Sequence, residues 1–163
     1  MENNGLPHPY ALHTGVTLIE LLVVVAVLMT LSGLGIAGYS SYRDTAHINT
    51  AKQDILAIAT VIDRYKLATG NWPQNLSDIK QQNKTDPWGN LYVYAPIPKL
   101  IGQISTGASN IRQDANQRPI NTFYDLYSMG KDGESISNIS SDISKDDVLR
   151  ARDGDFIGLA RDY

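Results

Sequence analysis

From Val16 to Leu28 the chain reads Val-Thr-Leu-Ile-Glu-Leu-Leu-Val-Val-Val-Ala-Val-Leu, an apolar run interrupted by one charge at Glu20. Continued as a helix to Tyr39, the segment extends roughly 36 Å, enough to cross a bilayer's hydrocarbon core. Gly33, Gly35 and Gly38 follow the run. Each weakens a helix by about 1 kcal/mol relative to alanine, which predicts a softened stretch there. Farther on, Ile48, Ala51, Ile55, Ile58, Ile62 and Tyr65 recur at spacings of three and four between polar Asn49, Lys52, Asp54 and Asp63. That period predicts an amphipathic helix with one face committed to a core. Gly70 is its stop signal, ahead of Asn71-Trp72-Pro73. The pattern is one long helix, apolar in its first half and amphipathic in its second.

Beyond Pro73 the pattern shortens. Leu76 to Lys80 reads as a short helix and Asp86-Pro87-Trp88-Gly89-Asn90 as a turn. Leu91 to Tyr94 and Phe123 to Tyr127 read as strands, and Phe156-Ile157 as a third, weaker one. These elements predict an α+β fold, with the second half of the helix packed on a small antiparallel sheet. The organisation expected is a leader at 1–15, a membrane and assembly segment at 16–39, and a globular domain at 40–163.

Composition removes several function classes. The 163 residues carry a net charge of −3 with no cationic cluster, which is not a nucleic-acid signature. The absence of cysteine excludes disulfides, thiolate metal sites and a cysteine nucleophile. His8 and His13 fall in the leader, and a lone His47 on the polar side of the helix reads as solvated. No phosphate-binding glycine loop and no nucleophile paired with a base is present, so the chain reads as a non-enzyme.

Glu20 demands an explanation, because a carboxylate inside a membrane helix costs roughly 2.5–3.5 kcal/mol without a partner. Cleavage between Gly15 and Val16 supplies one, since the new amine lies four residues before the acid. An ordinary signal peptide cut near Gly35-Ile36-Ala37 expects a positive n-region, and no Lys or Arg precedes Gly15. Neither that reading nor a plain signal anchor accounts for the acid.

Gly15-Val16-Thr17-Leu18-Ile19-Glu20 resembles the class III signal of type IV prepilins, although leaders in that family usually carry Lys or Arg. Asp86-Pro87-Trp88-Gly89-Asn90 and Asp125-Leu126-Tyr127-Ser128-Met129-Gly130-Lys131-Asp132-Gly133 resemble two signatures of the major, G-type pseudopilins of type II secretion. The three matches occur in the family's order, while 96–119 carries no resemblance. The lack of cysteine also leans toward pseudopilins.

The resemblance implies a pilin-like subunit of a periplasm-spanning pseudopilus, anchored once in the inner membrane with its C-terminal domain in the periplasm. It implies cleavage and methylation by a prepilin peptidase, and helical self-assembly in which Glu20 assists. The implied partners are copies of the chain itself, the peptidase, minor pseudopilins and the inner-membrane assembly platform, with no nucleic acid. One alternative is a major or minor type IV pilin serving adhesion, motility or DNA uptake. Another is a membrane-anchored calcium-dependent enzyme or binding module, against which stands the missing catalytic group.

The loop from Met129 to Asp147 carries Asp132, Glu134, Asp142, Asp146 and Asp147 against Lys131 and Lys145. Such oxygen donors suit calcium, though the EF-hand spacing is absent, and a solvated acidic loop is the plainer reading. The resemblance implies calcium at this loop, with Asp132, Asp146 and Asp147 as side-chain ligands and Met129 offering its carbonyl. Asp142 stands as a rival to either later aspartate. With little apolar content, the loop is expected to need a metal to order it.

Overall fold

The computed structural model describes residues 15–100, 103–104 and 111–163, with the side chains of 34–38 and of 99–100 and 103–104 left aside. The leader expected at 1–15 therefore lies outside the described residues except for Gly15. The chain divides into two compact units at Ser41–Tyr42.

Helix α1, Leu18–Thr69, is continuous across the stretch where the glycines predicted softening. In the first unit its side chains from Leu18 to Leu31 are largely exposed, among them Leu18, Ile19, Leu22 and Leu28. The apolar part with described side chains, Leu18 to Gly33, rises about 24 Å, less than the roughly 30 Å of a hydrocarbon core. Among the described residues, no helix is both long and apolar enough to cross a membrane.

In the second unit the amphipathic face of α1 is a core face, as its spacing predicts. Ala51, Ile55, Ile58 and Ile62 are buried, with Ile48 and Tyr65 packed at the margin. The helix stops at Gly70, whose φ of 78° is cheap without a Cβ. A short 3-10 turn, Leu76–Ile79, follows, capped by the Asn75 side chain and closed by Lys80 in the left-handed region.

The sheet has four antiparallel strands: β1 (Val93–Pro96), β4 (Tyr124–Ser128), β5 (Val148–Ala151) and β6 (Phe156–Leu159), in that spatial order. Between β1 and β4 in sequence, β2 (Lys99–Leu100) and β3 (Gln103–Ile104) form a separate two-stranded hairpin. Strand β5 has no counterpart in the sequence reading. All four of its residues are buried, so Val-Leu-Arg-Ala lacks the alternation that marks a half-exposed strand.

Burial on both faces explains this. On one face Tyr124, Leu126, Val148 and Leu159 pack against α1. On the other, Tyr127, Leu149 and Ala151 pack against Ile120, Ile139 and Ala160. The sheet is thus covered by the helix on one side and by irregular chain on the other. That second layer comes from 111–120 and from the acidic loop, whose sequence shows little apolar content.

Candidate functional site

Two places carry the residues singled out in the sequence. At the start of the described chain, Gly15 and Val16 are exposed and precede the helix, with Val16 71% accessible. Glu20 is exposed in the first turn of α1, where its amide donates to Thr17 Oγ1 at 3.3 Å. Thr17 thereby satisfies one of the donors a helix start leaves open. The Gly15–Val16 peptide therefore lies in accessible, non-helical chain just ahead of the helix.

The second place is the loop between β4 and β5, and its footing is built from both signature segments. Asp86 is buried, and its Oδ1 accepts from the amides of Trp88 (3.0 Å) and Asn90 (2.9 Å). Its Oδ2 accepts from the Ser128 hydroxyl, which in turn accepts from the Gly130 amide at 3.1 Å. Asn90 Nδ2 donates to the Gly130 carbonyl at 3.0 Å. The turn therefore fixes the first residues of the loop. Trp88 anchors the turn to α1 by an edge-to-face contact with His47, the ring centroids 5.7 Å apart. His47 is consequently half-buried against Trp88, with Nδ1 inaccessible, and not solvated as its helical position suggests.

Within the loop, Asp146 Oδ2 accepts from the amides of Lys131 (2.8 Å) and Asp132 (3.2 Å). Gly130 has φ of 67°, and a Cβ there would lie 2.5 Å from both the Asp146 carbonyl and Asp146 Oδ2. Asp132, exposed, closes its own turn by accepting from the Glu134 amide at 2.8 Å. Asp147 is fully buried, and its Oδ2 accepts from Ser135 Oγ. Arg112 Nη1 lies 3.7 Å from that same oxygen, while Asp147 Oδ1 is buried without a hydrogen bond. Burial pushes the Asp147 carboxyl up to about 7. Ser135 and Arg112 act against the shift, and the charges of Asp146 and Asp132 add to it.

The three aspartates are thus close enough to influence one another. Among the described residues, however, no three acidic, His or Cys side chains converge so as to hold a metal ion. The donors are of the type a hard cation takes: carboxylate oxygens, one of them buried without a hydrogen bond, at a glycine-containing turn. Met129 is half-buried between Ser128 and Gly130. Asp142 is separated from this group, since its carboxylate is 91% accessible and pairs with Lys145.

The loop also carries internal anchors that sequence reasoning missed. Ile139 and Ser144 are buried. The Gln113 amide donates to the Ser137 carbonyl (2.8 Å), and the Ile139 amide to the Gln113 carbonyl (3.0 Å). Asp125, buried in β4, accepts from the Arg112 amide at 2.7 Å and from Asn121 Nδ2 at 2.8 Å. Burial raises the Asp125 carboxyl, and these bonds oppose the rise. Asp153 accepts from the Thr122 amide at 2.8 Å. Only the aspartates in the second signature carried any signal of this network.

Comparison with known proteins decides the family. The chain is 32% identical over 152 residues to a type II secretion system core protein G of Pseudomonas aeruginosa, covering 80% of this chain and 92% of that protein. It belongs to the type II secretion system core protein G family. A core protein G of Escherichia coli K12 is 28% identical over 141 residues, covering 74% of this chain and 83% of its own length. A fimbrial protein of Neisseria meningitidis is 21% identical over 142 residues, covering 87% and 81% respectively. No family model matches the chain, and no solved structure matches it. As the sequence analysis expected of such a protein, the fold is α+β, with a long N-terminal helix and a small antiparallel sheet.

Proposed function

We propose that the protein is the repeating structural subunit of a type II secretion pseudopilus, assembled by helical polymerisation. The observation that carries this reading is the 32% identity over nearly the whole length of a core protein G. A structural role accords with the described fold, which is built as a packed support and whose buried polar groups serve the loop. On this reading a prepilin peptidase cuts between Gly15 and Val16 and methylates the new amine. The apolar part of α1 anchors the subunit in the inner membrane and then packs among neighbours, with the second unit in the periplasm. The exposure of Leu18, Leu22 and Leu28 supports this, because such a surface is stable only when covered by lipid or protein. A rod also requires a heterologous, non-closing contact. Minor pseudopilins and the inner-membrane platform are the further partners.

The proposed cofactor is calcium at the loop from Met129 to Asp147, held by Asp132 with Asp146 or Asp147 and the Met129 carbonyl. The buried Asp147 Oδ1, which has no hydrogen bond, supports it. When bound, the ion supplies positive charge and oxygen coordination that cross-link the loop's two ends. The chain's own contribution is to seat those ends: Asp86 and Asn90 fix Gly130, and the Asp146 carboxylate gathers the amides of Lys131 and Asp132.

Deleting the gene and assaying exoprotein secretion beside surface piliation tests the function. Lost secretion with intact pili is expected. Intact secretion with lost pili would overturn it in favour of a type IV pilin, the reading to which the fimbrial relative points.

A further inference from the structure

The acidic loop contains two lysines, and both are engaged with other partners. Lys131 Nζ pairs with Asp44 on α1 at 3.0 Å, and Lys145 pairs with Asp142. The cation that faces Asp147 comes instead from the irregular layer on the far side of the sheet. Arg112 is 3% accessible, and its guanidinium lies over the Tyr127 ring, 3.5 Å from the centroid. Its Nη1 donates to the Ile136 carbonyl within the loop and lies 3.7 Å from Asp147 Oδ2. Its own amide is tied to Asp125, so the residue is fixed at both ends.

A buried carboxylate beside Asp132 and Asp146 is costly unless a positive charge is near. At 3.7 Å the guanidinium is beyond direct hydrogen-bond range, so it contributes charge, while Oδ2 accepts from Ser135 and Oδ1 has no hydrogen bond. Three carboxylates against one guanidinium still leave an excess of negative charge. The loop is therefore partly neutralised from within, and its interior contacts through Ile139 and Ser144 remain in place under that charge.

We propose that Arg112 is the built-in counter-cation of this loop, holding Asp147 in the fold and so limiting how far the loop depends on calcium. The calcium clause rests on the reading above, whereas the Arg112–Asp147 coupling does not. Arg112 is a positioning residue, acting on the loop through Asp147 and the Ile136 carbonyl.

The test is thermal unfolding of the full chain in detergent micelles, followed by tryptophan fluorescence, with excess calcium chloride or with EGTA. The chains compared are the parent, Arg112→Gln, Asp147→Asn and the double variant. In EGTA, Arg112→Gln is expected to lower the midpoint by roughly 10 °C, since it strands a buried carboxylate. The double variant should lose distinctly less than the two single losses added together, and Arg112→Lys should recover part of the loss. Calcium should raise the midpoint of Arg112→Gln more than that of the parent. Additive losses in EGTA would overturn the counter-cation, and equal calcium increments in parent and variant would overturn the limit on calcium dependence. If Arg112→Gln alone fails to fold, a folded double variant with Asp147→Asn carries the coupling, and a double variant that also fails to fold overturns it. Should no chain respond to calcium, the metal reading falls while the EGTA cycle still decides the role of Arg112.

Discussion

Gly130 is where sequence identity and geometry are most tightly bound. Its positive φ costs a residue with a Cβ about 1–2 kcal/mol, and the Asp146 carbonyl closes the space a Cβ needs. Gly70 has a similar φ but open space around it. Gly130→Ala is therefore expected to destabilise the chain by about 3 kcal/mol or more, and Gly70→Ala by about 1–2 kcal/mol. Denaturant midpoints of the two variants check the ranking; equal losses would mean that Asp146 does not occupy that space. The aspartates make a second contrast. If calcium binds the folded loop better than the unfolded one, a hundredfold excess over its dissociation constant adds about 2.7 kcal/mol. Asp132→Ala should remove most of that gain and Glu134→Ala little. The readout is the calcium increment, because Asp132→Ala also deletes the hydrogen bond from the Glu134 amide. Identical midpoints in calcium and EGTA for the parent chain would refute the metal site.

At the level of elements, legibility followed periodicity. The core face of α1 was readable because a helix with one wet face repeats its apolar positions, and Ile55, Ile58 and Ile62 are buried as that repeat requires. Ile58→Ala should cost about 2–5 kcal/mol, whereas Leu56→Ala, on a side chain 58% exposed, should cost under about 0.5 kcal/mol. Urea unfolding of the two variants measures the difference, and a costly Leu56→Ala would place that face in a contact. Strands β1, β4 and β6 were legible through aromatic and β-branched residues, with β1 shifted by two positions, β4 by one, and β6 starting as read but two residues longer. Strand β5 was not, because a strand buried on both faces has no period to read. Asp132, Asp146 and Asp147 were legible as a group through the second signature and the acidic run. Arg112 and Ser135 were not: each gains its role from a partner distant in sequence, Asp147, and an isolated Arg in a polar stretch carries no signal of that. The expectation that the loop needs a metal to order it left out Ile139 for a related reason. Ile139, one of three isoleucines scattered among serines and polar residues, reads as incidental until Ile120 and Leu149 are seen beside it.

For the molecule as a whole, the proposed function asks a single sequence to serve first as a membrane-held monomer and then as a filament subunit. Glu20 connects the two states in the proposed function. In the described chain its carboxylate is exposed beside apolar Ile19 and Leu21. Moved into lipid or among neighbouring helices, the charge is unfavourable by several kcal/mol until a cation approaches. The amine created at Val16 by cleavage is such a cation. Pairing across subunits would make the cost of the isolated monomer a driving force for addition to the growing end. Glu20→Val removes that penalty together with the pairing, so it should leave membrane insertion and cleavage nearly unchanged while lowering filament yield severely. Mass spectrometry of the variant should still find a chain beginning at Val16, which separates an assembly defect from a processing defect. Filaments sheared from cells and quantified by immunoblot give the yield. A normal yield from Glu20→Val would remove the acid from assembly and leave its place in the apolar run without a function.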